Sequence, residues 1–523
     1  MAMVKRDGLG SHNRTIVRRL MVHVARPLLI LLSLALSFLS LPGGPLPLLA
    51  FGSLVPFGIA LHNTSRRESF LYAYVCGFLG WIMFTPGLIA GLSSYTHVSS
   101  ILATSLIILG CGWLALPYGL FGVLYGRFRW MNRCAGPIKA AACLTLLVNL
   151  FPSPLPLDSS HSLYEFPRLL QLMDLGGQPL LLFILYLFNW LLVDVALKLK
   201  ERRSVKTAIA WIVGIAILIM GYGSFRLTRS HEHAWDSRLK IAIIQPNIPV
   251  IRNANLSSLG GLQTLLNQST EIISHDKSID LITWPEISAR INCEAGSQTN
   301  LILSEFAAEH RVPLLINCTQ LSSDGREYNT ELFIAVDGTS ETYHKQILFP
   351  FTEFIPGEQW FPDLRTLFPG ASRYEAGTKA TVFPIKNSFV FPAICYEILF
   401  PSHSRRFVQH GGNILVSPAN DAWFGANRIP HFEVAAAVFQ AIQHRIPVVR
   451  VSNSGNSVAV QATGEIAPNS RTPNFIQTTR TVELYAPPSR PPYSSFRNNF
   501  VYLLALVWLV SVAMETLRRR KSG

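Results

Sequence analysis

Three side chains able to carry nucleophilic chemistry stand at the ends of expected strands. Glu286 follows the run Asp280–Trp284, Lys345 ends the segment Thr342-Tyr343-His344-Lys345, and Cys395 ends the run Phe389–Ile394. In α/β proteins ligands gather at the carboxyl ends of strands, so these are positions where reactive groups are expected to meet. A thiol needs a base to become a nucleophile, and a donor or cation to hold the oxyanion that forms on the carbonyl it attacks. Glu286 fits the base and Lys345 the cation. A helix predicted at Ser402–His410 would turn the positive end of its dipole toward Cys395 and favour thiolate. Each residue also has a plain reading: a lone cysteine is usually buried core, and a strand-end Glu and Lys often form a simple ion pair. Three reactive groups at three strand ends is the less casual arrangement. His344 is the nearest rival base, but strand neighbours point to opposite faces, which separates it from Lys345. His403, His410 and His431 stay open as alternatives.

The elements that must position these residues lie in residues 236–488, read as one α/β domain. Strands are expected at Leu239–Gln245, Asp280–Trp284, Pro313–Cys318, 330–336, 340–345, 388–394, 413–417, 447–452 and 456–462. Helices are expected at Leu259–Ser274, Thr299–His310 and 431–444. Alternation of the two is the signature of an α/β sheet domain.

The remainder is apolar. Of 523 residues 49% are hydrophobic and only 15% charged, with a mean hydropathy of +0.30, against about 25% charged in ordinary soluble domains. Residues 27–61 form two apolar helices around Pro42-Gly43-Gly44-Pro45; further segments lie near 69–92, 100–125, 137–152, 179–197, 207–224 and 499–516. Length and composition predict about eight membrane-spanning helices, seven of them in 27–225. Basic clusters at Lys5–Arg26, Arg66-Arg67, Arg127–Lys139, Lys198–Lys206 and Arg518–Lys521 alternate with loops poor in Lys and Arg. The positive-inside rule then puts the termini, 1–26 and 517–523, in the cytoplasm and the 236–488 domain on the far side. The net charge of +14 is a topology signal rather than a nucleic-acid footprint. Asp194 lies four residues before Lys198, the spacing of a helical ion pair. No Cys or His spacing suits zinc, and the chemistry calls for no cofactor. Of seven cysteines, Cys293 and Cys318 would pair in an oxidising compartment, leaving Cys395 free.

Taken in order, the motifs resemble the nitrilase superfamily: a strand ending WPE, then Lys345 with Pro350-Phe351-Thr352-Glu353-Phe354-Ile355-Pro356, then Cys395-Tyr396-Glu397, then Asn420-Asp421-Ala422-Trp423-Phe424-Gly425. Multiple membrane helices around such a domain, with Arg445, Pro447, Arg450, Asn453 and Gly455 in the late segment, resemble the apolipoprotein N-acyltransferases. The resemblance implies a nitrilase-like α-β-β-α sandwich inserted in the helical bundle and facing the periplasm of a bacterial inner membrane. It implies a catalytic triad of Glu286, Lys345 and Cys395, a second glutamate at Glu353, and supporting roles for Tyr396, Glu397 and Trp423. The activity implied is transfer of an acyl chain from a phospholipid, through a cysteine thioester, to the α-amine of a lipoprotein's diacylglyceryl-cysteine. Thr352 stands where the family usually has Gly, and Arg290 where a proline is common. An apolar loop at 354–374, with Trp360, Phe361 and Phe368, is expected to admit lipid chains. The alternatives are a membrane-tethered amidase passing its acyl group to water, for which so many helices are excessive, and a transporter or scaffold with a dead domain, which has no need to keep all three residues.

Overall fold

The structure, a computed structural model, describes residues 8–83, 85–132, 135–232, 237–249, 257–287, 291–294, 296–425, 427–486, 493 and 499–521. Lys5, Arg6, Arg133 and Arg290 lie outside the described residues.

Each apolar stretch is helical. The first, α1 (Gly8–Ser40), stops at the Pro-Gly-Gly-Pro turn, where Gly43 takes a φ of +73°. It is followed by α2 (Val55–Leu61), α3 (Arg66–Ile82), α4 (Thr85–Thr96), α5 (Ser100–Phe128), α6 (Gly136–Leu150), α7 (Pro167–Leu170), α8 (Met173–Lys200) and α9 (Lys206–Glu232). Local chemistry sets the starts: Ser65 and Glu68 form a reciprocal capping box on α3, and the Ser99 hydroxyl accepts from Leu102 N on α5. The segment expected at 69–92 is not one rod. Its two helices, α3 and α4, meet at a bend of 52°. Among the described residues α5, α8, α9 and the final helix are long and apolar enough to cross a membrane, and the bent pair makes a fifth if counted as one span. Val24–Ser40, Pro47–Leu61 and Gly136–Leu150 are apolar but shorter. The Lys198 ammonium lies 2.6 Å from Asp194, as the four-residue spacing predicts.

The domain between the helices holds two sheets. β1 (Ser237–Gln245), β2 (Leu281–Thr283), β3 (Leu314–Leu321), β4 (Glu327–Ile334), β5 (Ser340–His344) and β11 (Thr478–Ala486) form one, in the order β11-β1-β2-β3-β4-β5. β6 (Phe383–Ile385), β7 (Ser388–Pro392), β8 (Ile414–Ala419), β9 (Val448–Ser452) and β10 (Val458–Val460) form the other, in the order β10-β9-β8-β7-β6. β1, β2 and β3 run parallel, as do β7, β8 and β9. Alternation along β1 divides its side chains. Leu239, Ile241 and Ile243 join the core shared with Val390, Leu415 and Val449 of the second sheet. Ala242 and Ile244 pack with Leu265 and Leu303 of the outer helices α10 (Ser257–His275) and α11 (Gln298–His310). α12 (Leu364–Leu367) sits in the apolar loop, and α13 (Pro401–Gln409) and α14 (Ile429–His444) flank the second sheet, completing the α-β-β-α sandwich. α15 (Asn499–Lys521) is the final helix. Strands β6 and β11 were not expected from sequence: Pro384 interrupts the first, and the second mixes Thr, Arg and Glu with its buried Val482, Leu484 and Ala486.

Helices and sandwich are joined by buried charge. Asp174, at the start of α8, has no solvent exposure and lies 2.6 Å from Arg445 and 2.8 Å from Arg226 of α9, with the Tyr222 hydroxyl donating to it at 2.7 Å. Arg445 follows α14 with a left-handed φ of +53°, and its guanidinium also donates to Gln171 at 2.7 Å.

Candidate active site

Strand ends deliver the three expected groups to one cavity. Glu286 comes from the loop after β2, Lys345 directly follows β5, and Cys395 lies three residues beyond β7; all line a cavity of about 270 Å³. Cys395 turns the chain from strand into a short 3₁₀ helix, Cys395–Leu399, with a φ of +51°. A non-glycine residue in that region is held there by its surroundings at about 1–3 kcal/mol. Glu397 is the holder. One of its carboxylate oxygens accepts from Tyr343 Oη at 2.8 Å, Gln346 N at 2.7 Å and Ile347 N at 3.0 Å, and the other from Ile394 N at 2.8 Å. The segment bearing Lys345 and the turn bearing Cys395 are thus pinned to a single carboxylate, buried and away from the cavity lining.

Lys345 is almost fully buried between two carboxylates, 3.1 Å from Glu286 Oε1 and 2.9 Å from Glu353 Oε1. Burial opposes its charge, but Glu286 and Glu353 outweigh it and hold the ammonium well above the ordinary lysine range. Asn329 joins the same pair: its Nδ2 donates at 2.9 Å to Glu286 Oε1 and at 2.9 Å to Glu353 Oε1. Asn317 orients it, donating to Asn329 Oδ1 at 2.8 Å while accepting from Ile287 N at 2.9 Å. Glu353 Oε2 also accepts from Phe349 N at 2.7 Å. Thr352, in the place of the family's usual glycine, donates through its hydroxyl to Phe349 O at 3.1 Å and leaves Glu353 in the site.

The thiol does not behave as the dipole argument expects. Burial pushes Cys395 well above the ordinary thiol range; the Glu286 and Glu433 carboxylates add to this, and Lys345 opposes it. Apolar walls and nearby carboxylates outweigh the dipole, so the resting group is a thiol that needs a base at the moment of attack. The histidine alternatives fall away on position. His344 stacks on Tyr328 and contacts the Thr330 hydroxyl at 3.0 Å, His403 faces Tyr343 and Glu397, and His410 contacts Arg406 O. Neither these nor His431 lines the cavity.

Tyr396 and Trp423 do line it. The Tyr396 hydroxyl donates to Pro154 O, and Trp423 packs edge-on against Tyr95 of α4 at 4.5 Å between ring centroids. The opposite wall is apolar and comes from the helices, through Trp81, Leu92, Ile107 and Leu114. A Cβ on Gly91 would come within 3.3 Å of Trp423 O and one on Gly87 would clash with Asn427, so small residues let α4 lie against this segment. The apolar loop divides. Trp360 and Phe361 are 72% and 66% exposed, whereas Phe368 is 3% exposed and packs with Leu92, Val98 and Ala103. Phe368 is therefore a docking residue rather than a lipid-facing one, a correction made by its contact with α4 and α5.

Sequence reasoning missed Asn329 and Glu433. Asn329 shares a strand face with Glu331, two positions on, and polar residues on one face of a buried strand were the available signal. Glu433 lies in the first turns of α14, just before the apolar run Val434–Phe439, with its Oε2 accepting from Arg450. Arg450 also donates to Asp421 Oδ2 at 3.0 Å. The Cys293–Cys318 pair is a disulfide, tying the segment after Glu286 to β3.

Comparison with known proteins finds similarity over both the helical part and the sandwich. The Carbon-nitrogen hydrolase family matches residues 240–485, and the Apolipoprotein N-acyltransferase N-terminal domain matches residues 33–191. An apolipoprotein N-acyltransferase of Geobacter metallireducens is 23% identical over 509 residues, 94% of each chain. That of Haemophilus influenzae is 33% identical over 334 residues, 62% of this chain and 63% of the relative. Among solved structures, Saccharomyces cerevisiae Nit3, of the nitrilase superfamily, aligns with a TM-score of 0.38 at 17% identity, covering 51% of this chain and 95% of that one.

Proposed function

We propose that the chain is an apolipoprotein N-acyltransferase, as its relatives are named, and that Glu286, Lys345 and Cys395 transfer an acyl chain from a phospholipid to the N-terminal amine of a diacylglyceryl lipoprotein. One observation carries the residue assignment: the three groups line a single cavity whose other wall is built from helix side chains. In the first half-reaction Glu286 takes the Cys395 proton, sulfur attacks the ester carbonyl, and the Lys345 ammonium stabilises the oxyanion. Collapse expels the lysophospholipid oxygen, which leaves with the proton from Glu286. The thioester then waits in an apolar enclosure with little water. In the second half-reaction the lipoprotein amine attacks, the amide forms, and the thiol is regenerated. Glu353 and Asn329 hold Lys345 and Glu286 in register, and Glu397 positions the cysteine turn.

The chain is a bacterial membrane protein by family and by its long apolar helices. Placement of the 236–488 domain in the periplasm is supported by the alternation of basic loops and by a disulfide within it, which fits an oxidising compartment. The direct test is intact-protein mass spectrometry after incubation with phospholipid vesicles. An added acyl mass on Cys395, discharged by a synthetic diacylglyceryl lipopeptide with formation of N-acyl product, is the expected result. Discharge to free fatty acid alone would instead establish a hydrolase.

A further inference from the structure

Two carboxylates that line the cavity keep one oxygen unengaged. Glu286 Oε1 takes the hydrogen bonds from Lys345 and Asn329, and Glu433 Oε2 takes that from Arg450; among the described residues neither remaining oxygen has a donor. The neighbouring acids differ. Glu353 is engaged through both oxygens, Asp421 gives both to Arg450, and Glu397 and Glu331 do not line the cavity. Among the described residues, the carboxylates of Glu286, Glu353, Glu433 and Asp421 around the reacting sulfur form ion pairs with Lys345 and Arg450 alone. A buried excess of negative charge favours a cationic visitor.

Proton counting gives that visitor a role. A free α-amine has an ordinary pKa of about 8, so the acceptor arrives mainly as R–NH₃⁺ near neutral pH. Becoming an amide N–H, it sheds two protons. One returns through Glu286 to the departing Cys395 sulfur, restoring the thiol. The other needs a separate acceptor, because Glu286 carries only one proton at a time. Resting on the acyl-transfer reading above, we infer that Glu433 is this acceptor: its free oxygen receives the acceptor's ammonium group, takes one proton, and leaves a neutral amine beside the thioester. The amine nitrogen then bonds to the thioester carbon, the carbon–sulfur bond breaks, and Glu433 later gives its proton to water. Arg450 of β9 contacts Glu433 directly, Glu286 after β2 and Cys395 line the same cavity, and Asp421 after β8 adds its charge. Burial pushes the Glu433 carboxyl up to about 7, with Arg450 opposing and Asp421 adding, a value suited to exchanging a proton with an amine.

The test separates the half-reactions in the full-length protein with Glu433→Gln, which keeps an acceptor for Arg450. Acyl-adduct formation on Cys395 from phospholipid vesicles should stay within about threefold of the parent, while discharge by a diacylglyceryl-cysteine lipopeptide at pH 7 should fall by roughly 10²–10⁴-fold, the span of a general base. The deficit should shrink as pH rises past the amine's own pKa, and discharge by hydroxylamine, neutral at pH 7, should be spared. Parent-like lipopeptide discharge at pH 7 overturns the inference, as does equal loss of both half-reactions. If Glu433→Gln does not fold, Glu433→Asp retains the charge against Arg450 and retracts the oxygen by one methylene; it must acylate normally and discharge slowly, and any other pattern overturns the assignment. Failure of the parent protein to acylate Cys395 would instead refute the underlying acyl-transfer reading.

Discussion

The proposed reaction sets Cys395 two opposing demands, since it would attack a weakly electrophilic ester yet sits where burial and carboxylates keep its proton on. Alkylation by iodoacetamide in the absence of lipid should therefore be slow at pH 7 and keep rising with pH beyond the ordinary thiol range of about 8.5. The sign follows from the upward displacement: below it the neutral thiol dominates and only above it does thiolate accumulate. A rate that saturates below pH 8 would show a pre-formed thiolate and remove the need for Glu286 as base. Asn329 offers a second test, because Asn329→Ala removes the donor shared by Glu286 and Glu353. A hydrogen bond to a charged group contributes about 1.5–3 kcal/mol, so adduct formation should slow by roughly 10–100-fold, read by mass spectrometry on a folded variant. That Glu286, Lys345 and Cys395 come together was legible because each follows an expected strand, a feature visible in one dimension. Asn329 and Glu433 were not, since their roles come from the pairing of β4 with β3 and from the face α14 turns to the cavity.

Among the elements, the turn after β8 and strand β9 are held by one arginine. Arg450 has no solvent exposure and serves both Asp421 and Glu433. Removing one partner of a buried charge cluster typically costs 3–5 kcal/mol. Arg450→Met should accordingly lower the midpoint of thermal unfolding in detergent micelles; an unchanged midpoint would mean that the two carboxylates are solvated. The apolar loop gives a contrasting pair. Changing Trp360 and Phe361 to Ser should slow adduct formation from phospholipid while sparing alkylation of Cys395, because both rings are exposed. Phe368→Ser should lower thermal stability as well, since its ring packs between α4 and α5. Equal behaviour of the two variants would deny the loop a part in lipid capture. Most strands could be read from apolar runs bounded by turn residues. The bend between α3 and α4 could not, because hydropathy reports the length of a segment and not its direction. β11 was hidden for a related reason: at the sheet edge its alternate residues face solvent, and the apolar run is diluted.

At the scale of the whole molecule, the order of basic and neutral loops predicts the orientation. A reporter active only in the cytoplasm, fused at Gly464 in the turn after β10, should be silent, and activity there would invert the topology. Such a reading came early because charge asymmetry is a property of the linear chain. How helices and sandwich share the cavity did not, since that depends on contacts such as Gly91 against Trp423. The contact at Asp174 carries a practical consequence. Its carboxylate belongs to α8, while Arg445 belongs to the sandwich, so cutting the chain between them strands a buried guanidinium. Residues 237–486 produced as a soluble fragment would lose that counter-charge together with the helical wall of the cavity. Screening for inhibitors on such a fragment would select compounds for an open, wet cleft absent from the intact enzyme; only the full-length protein in detergent or lipid nanodiscs presents the target a drug must fit.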